Sequence, residues 1–251
     1  MTIGSLDGKV AFISGASRGL GAGLAERFAD AGLRLVLCSR TPPALASSDT
    51  VIAASVDMRD EKGLDALVAQ AEARFGAIDL WVNNAGVLDP IQPIREVSLA
   101  DFREHIDINL GGVFVGSRCY VRHLRRLGKG GVLINVSSGA AWNPYPGWGA
   151  YCASKAGVER LTEVLAVEET EIGLRAHSVA PGVIDTAMQS LIRASSPENF
   201  PEVERFRDLE RDGSFNSARY VANEFLAIAF DPERKPDSVA VRLEDESSAP
   251  S

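Results

Sequence analysis

Cysteine is scarce in this chain. Its three cysteines, at 38, 119 and 152, are too few and too far apart for a disulfide framework or a thiolate metal site, so no metal is expected. They fit small buried residues in a reducing cytosol, and Cys152, beside a tyrosine of interest, is turned off that tyrosine's helix face. Positive charge is also in deficit: 26 Lys and Arg face 34 Asp and Glu, a net charge of −8. That balance argues against a nucleic-acid-binding surface, and the cluster Arg122, Arg125, Arg126, Lys129 fits a solvated helix carboxyl end, where cations suit the dipole. Long apolar runs are missing too. The first, Val10 to Ile13, leads into a glycine-rich turn, so neither a secretory leader nor a membrane span is expected, and the protein is assigned to the cytoplasm.

Short apolar runs, by contrast, recur in alternation with helical patterns. Strands are expected near 9–14, 34–38, 50–56, 78–82, 131–136, 174–180 and 238–243, and helices over 18–31, 60–75, 98–127, 150–171 and much of 186–228. Continuous runs such as Leu35-Val36-Leu37 and Val132-Leu133-Ile134 suit parallel strands covered on both faces. The alternation predicts an α/β fold built on a single doubly wound parallel sheet of about seven strands, with ligands at the strands' carboxyl ends. The length suits one domain over 1–243. Residues 41–49 (TPPALASSD) are too short and proline-containing for a long crossover helix, the polar segment 187–215 is expected to form a mobile substrate lid, and the acidic tail 244–251 is expected to be disordered.

Chemistry gathers at those strand ends. In KVAFISGASRGLGAGLAERFADAG, a buried strand runs into Gly15, Gly19 and Gly21 and then a helix with Leu24 and Phe28 on one face. Such glycines let the backbone approach a pyrophosphate resting on the helix amino end, although the spacing is G-x-x-x-G-x-G rather than G-x-G-x-x-G. Tyr151 and Lys155 lie four residues apart in a helical run and share a face. A free Tyr, with a pKa of about 10, is a poor acid or base near neutrality, and a neighbouring ammonium is expected to lower that value. Thirteen residues earlier, Ser138 closes an apolar strand and is placed to hydrogen-bond the oxygen that Tyr151 serves. Ser137 competes for this role, but strand alternation turns it to the opposite face.

Together, SGASRGLG, NNAG at 83–86, Asn109, Ser138, YCASK at 151–155 and PGVIDT at 181–186 resemble the short-chain dehydrogenase/reductase family over residues 6 to roughly 190. The resemblance implies a Rossmann-type sheet and a catalytic set of Asn109, Ser138, Tyr151 and Lys155, with Asn109 holding a water that links Lys155 to solvent and Lys155 also bonding the nicotinamide ribose. It implies cofactor contacts from Gly15, Ser17, Arg18, Gly19, Leu20 and Gly21 in the turn, from Asp57 and Met58 on the adenine side, and from Asn84, Ala85 and Gly86. In PGVIDT, Pro181 and Gly182 lead to Ile184 and Thr186, which resemble the groups that hold the carboxamide. At the end of the second strand, where an NAD-binding fold places an acid, stand Ser39 and Arg40. A carboxylate there would repel a 2′-phosphate, whereas Arg18 and Arg40 can grip one, so the expected cofactor is NADP(H).

The expected activity is reduction of a ketone or α-diketone by hydride transfer, with Tyr151 as proton donor; the same residues would also serve an NADP-linked alcohol dehydrogenase. A non-catalytic dinucleotide sensor is disfavoured because Ser, Tyr and Lys are all in place. The loop GAAWNPYPGWGA carries Trp142, Tyr145 and Trp148, which with Met188 are candidates for a slot holding an aromatic carbonyl substrate; the alternative is packing against the loop prolines or a subunit contact. PGVIDTAMQ and the lack of a Gly-Gly ending in RKPDSVAVRLED resemble the sepiapterin reductase and benzil reductase subgroup, although its C-terminal substrate-anchoring acid has no counterpart that can be placed here. Apolar faces including Ile106, Leu110, Phe114, Leu161 and Leu165 predict a homodimer, with a tetramer less favoured.

Overall fold

Seven short strands pair in parallel into one sheet in the order β3-β2-β1-β4-β5-β6-β7. In this computed structural model, which describes residues 5–248, they are β1 (Val10–Ser14), β2 (Arg34–Ser39), β3 (Val51–Ser55), β4 (Leu80–Asn83), β5 (Gly131–Val136), β6 (Leu174–Ala180) and β7 (Ala240–Arg242). The alternation of side chains along each strand divides the interior in two. Ala11 and Ile13 of β1 face Leu24, Phe28 and Phe225, carried by α1 (Gly19–Asp30) and α8 (Ala218–Phe230). Val10 and Phe12 face the other way, toward Leu64, Trp81 and Tyr120, under α2 (Glu61–Phe75) and the helices that follow β4 and β5. Both faces are thus covered by helices, and each strand can be apolar throughout. As the proline-containing sequence suggests, 41–49 holds no helix, and Ala44 N–H donates to the Ala16 carbonyl to tie this short crossover to the first turn.

Two elements differ from the sequence expectation. The helix expected over 98–127 is three pieces: α3 (Leu99–Ile106), a π-turn (Asp107–Gly111) and α4 (Gly112–Leu127). The cause is Asn109, whose side chain leaves the helix to bond the backbone of Val87, and π-turns of this kind gather at functional sites. The tail expected to be disordered from Glu244 is fixed as far as Ser248. Glu246 takes hydrogen bonds from the Ser217 N–H and hydroxyl, and its own N–H donates to Asn216 Oδ1, so an acidic residue braces the residue that caps α8 instead of drifting in solvent. Residues 249–251 lie outside the described residues. The remaining helices are α5 (Gly149–Glu168), packed on β5 and β6, then α6 (Ala187–Ala194) and α7 (Val203–Asp212), which lean on each other above the carboxyl edge of the sheet.

Candidate active site

The chain leaves β1 through Gly15 (φ +66°) and Gly19 (φ +56°), left-handed conformations that side chains resist. A Cβ on Gly21 would stand 2.2 Å from the Gly15 carbonyl oxygen, so α1 starts pressed against this turn. Arg18, at the N-cap of α1, supplies no side-chain cap, and the first turn holds no acid. By contrast α2, α3 and α8 are capped by Asp60, Ser98 and Ser217. The amino end of α1 therefore keeps free N–H groups and an uncompensated dipole, the arrangement that suits a pyrophosphate. Thr186 meets the same turn: a Cβ on Gly19 would lie 3.2 Å from its methyl carbon. Of its neighbours, Pro181 accepts from Asn216 Nδ2, Gly182 has φ +79°, and Ile184 packs on the sheet core.

The strand order reverses between β1 and β4, and a residue that sequence reasoning missed holds this switch point. Ser14 Oγ accepts from the N–H groups of Asn84 and Ala85, while Asn84 Nδ2 donates to the Ser14 carbonyl at 2.9 Å. Across the next strand end, Arg18 and Arg40 are exposed and make no ion pair among the described residues. Ser39 is buried with its hydroxyl committed to the Thr41 carbonyl at 2.6 Å, so it is placed as a small loop-stabilising residue with no proton to spare. Arg59 grips both carboxylate oxygens of Asp57 and holds its pKa below the ordinary value. Met58 is buried with its sulfur facing Cys38, and the Leu20 side chain lies in the core, leaving only their backbones open to a ligand; Ser17 is half-buried.

Ser138, Tyr151 and Lys155 come together where β5 ends and α5 begins. Tyr151 is buried, and burial pushes its pKa up to about 12, against the opposing pull of the Ser138 hydroxyl. The expected lowering by Lys155 is not what the geometry yields. The ammonium lies 5.6 Å from the Tyr151 ring centroid, donates to the Val136 carbonyl at 2.7 Å, and is itself brought down to about 8 by burial. Desolvation disfavours both charged forms here, phenolate and ammonium alike. Ser137 is buried, its hydroxyl without a partner among the described residues. Asn109 stands close by but does not reach Lys155. Its amide exchanges two 2.8 Å hydrogen bonds with Val87 and donates to His105, another residue the sequence reading missed, although its i−4 spacing from Asn109 was a usable signal. Gly86 sits between them, since a Cβ there would lie 3.3 Å from Asn109 Oδ1 and 4.0 Å from Lys155 Nζ.

The aromatic loop separates into two roles. Trp148 is buried and stands edge-on to Tyr151 at 5.7 Å, with Tyr145 against it at 4.9 Å and Met188 packed nearby. Phe200 stacks on the Trp148 face at 4.6 Å and Phe206 tilts against both, two contacts from the α6–α7 segment with no sequence signature. Trp142 lies outside this cluster. The short 3₁₀ turn Gly139–Ala141 carries it outward, 44% exposed, where its indole N–H donates to Glu159 at 2.8 Å. Burial raises the pKa of that carboxyl, and the indole bond works against the rise.

A parallel sheet with an uncapped helix amino end beside its switch point defines a dinucleotide-binding protein of the Rossmann type. The chain belongs to the short chain dehydrogenase family, whose profile matches residues 9–197, and is an oxidoreductase of that family. It is 34% identical over 223 residues to a benzil reductase ((S)-benzoin forming) of Bacillus subtilis, covering 86% of this chain and 91% of the relative. A Bacillus cereus protein of the same name is 32% identical over 246 residues, covering 93% and 98%. A solved short chain dehydrogenase/reductase from Saccharomyces cerevisiae superposes with a TM-score of 0.83 at 27% identity, covering 95% of this chain and 97% of that one. No helix among the described residues is long and apolar enough to cross a membrane.

Proposed function

We propose that this protein is an NADP(H)-dependent carbonyl reductase acting on ketones and α-diketones. The observation that carries the reading is the buried Tyr151 phenol with Ser138 and Lys155 beside it at the end of β5. A bound nicotinamide supplies the hydride. Tyr151 gives its proton to the substrate oxygen as charge develops there, and Ser138 donates a hydrogen bond to the same oxygen. Lys155 holds positive charge beneath the phenol and stabilises the phenolate left behind. Asn109 keeps the floor segment Gly86–Val87 in place through its side chain, so any water linking Lys155 to solvent would be held by its main chain.

The amino end of α1, Thr186 and the Ile184 backbone suit the pyrophosphate and carboxamide, and Asp57 retains lone pairs for an adenine amine. The guanidinium groups of Arg18 and Arg40, in no ion pair among the described residues, and the lack of an acid at Ser39 favour a 2′-phosphate. The α6–α7 segment acts as the lid, and its Phe200 and Phe206, with Tyr145, Trp148 and Met188, line an aromatic slot. The two benzil reductases among the relatives support a diketone substrate. Two copies pair through a groove of about 950 Å³ between the α3–α4 hinge and α5, lined by Ile106, Leu110, Phe114 and Leu161. Leu165, expected in that surface, packs inward instead.

Consumption of NADPH and of NADH with a panel of ketones, α-diketones, quinones and pterins tests the reading. NADPH-dependent turnover of diketones is expected. Equal use of NADH, or no turnover of any carbonyl, overturns it.

A further inference from the structure

His105 is 1% exposed and belongs to none of the motifs above, yet it is bonded on every polar atom. Its Nδ1 lies 2.6 Å from the Asp89 carbonyl, which can only accept, so Nδ1 carries the proton. Nε2 is then a lone pair, and it accepts from Asn109 Nδ2 at 2.9 Å. The other Asn109 Nδ2 hydrogen goes to the Val87 carbonyl, and Oδ1 accepts from the Val87 N–H. Flipping this amide would turn a donor toward the Val87 N–H and an acceptor toward its carbonyl, so the imidazole and Val87 select the same orientation. The ring also stands edge-on to Tyr151, 6.0 Å between centroids at 82°. One side chain thus touches the loop after β4, the π-turn and α5.

We infer that His105 is a positioning residue for Tyr151 and Lys155: as the neutral Nδ1-protonated tautomer it fixes Asn109 and the Val87–Asp89 segment, and a second proton opens that lock. With Nε2 protonated, two donors would face each other across the Asn109 contact. Ser154 Oγ, 3.2 Å from Nε2, already gives its hydrogen to the Tyr151 carbonyl and could accept the new one. The ring's bond would pass from Asn109 to Ser154, and Asn109 Nδ2 would exchange its 2.9 Å bond to the imidazole for the longer 3.4 Å contact with the same Ser154 hydroxyl. The titratable groups facing the imidazole are Lys155 and Tyr151 from α5 and Asp89 from the loop. Burial, with Lys155 adding to it, disfavours the second proton, while the Asp89 carbonyl bond and charge favour it.

The test uses the full chain. Nitrogen-15 spectra of the imidazoles, with His105→Gln identifying the signal, are expected to show His105 neutral and protonated on Nδ1 near neutrality; an Nε2-protonated tautomer overturns the inference. In kinetics with NADPH, His105→Leu is expected to lower kcat roughly tenfold to a hundredfold, the effect of slight misplacement, with a smaller change in NADPH affinity measured by fluorescence. His105→Gln, which offers a donor and an acceptor but does not titrate, is expected to restore most of kcat and to lose the acid limb of the wild-type pH profile. An acid limb that persists in the Gln variant, or full kcat in a folded Leu variant, overturns the inference. The kinetic arms rest on Tyr151 being the proton donor, whereas the tautomer does not. A catalytically silent protein with the Nδ1–H tautomer therefore counts against that reading and leaves the lock intact, and should the Leu variant not fold, the spectra and the Gln variant decide.

Discussion

Lys155 gives a hydrogen of its ammonium to the Val136 carbonyl while lying 5.6 Å from the centre of the Tyr151 ring. The cation is thus tied to the strand end while standing over the face of the phenol, in a site whose burial draws its pKa to about 8.

Replacing Tyr151 with Phe removes the proton donor and little packing. Turnover of a diketone should fall by about 10²- to 10⁴-fold, the range for general acid–base groups, with NADPH affinity nearly unchanged. Steady-state kinetics with a fluorescence titration measures both, and retention of most activity would sink the role given to Tyr151.

The burial of Lys155 has a consequence for stability. Between about pH 8, its folded value, and its ordinary value of 10.5, the unfolded chain holds a proton that the folded chain has released. Stability contributed by this site therefore rises with pH across that window. Urea melts of the wild type and Lys155→Met at both ends of the window should show the rise in the wild type alone. Parallel trends in the two proteins would refute the shift.

Arg40 is exposed with no ion pair among the described residues. Arg40→Ala should weaken NADPH by about 1.5–3 kcal/mol, the worth of hydrogen bonds to a charged group, and leave NADH alone. The variant is better aimed than Ser39→Asp, because an acid at 39 could not donate to the Thr41 carbonyl as Ser39 does. Equal losses for both dinucleotides would remove Arg40 from the phosphate site.

Trp148 and Trp142 should part company. Trp148→Phe is expected to raise KM for bulky aryl ketones more than for small ones, since it alters the face beside Tyr151. Trp142→Phe should change neither, because its indole serves Glu159. Identical profiles for the two variants would contradict this division.

Phe114 lies 46% exposed in the apolar groove between the α3–α4 hinge and α5. Phe114→Glu should convert the expected dimer to monomer in light scattering at micromolar concentration. A wild type that is itself monomeric would remove the groove as a self-association surface.

Much of this protein was legible locally. All seven expected strands formed, the central ones because a strand covered on both faces writes its burial directly into consecutive residues such as Val132, Leu133 and Ile134. The glycine-rich turn, the Tyr–Lys spacing and the helix-poor crossover are likewise short-range facts of the chain. Tertiary structure decided whatever depends on residues far apart in sequence. It broke the helix at Asn109, because that amide found Val87, 22 residues away. It turned Trp142 to Glu159 and seated Phe200 on Trp148, contacts without any periodic signature. It also reversed the expected effect on Tyr151, since desolvation is set by everything packed around a group and not by the one cation four residues along the helix.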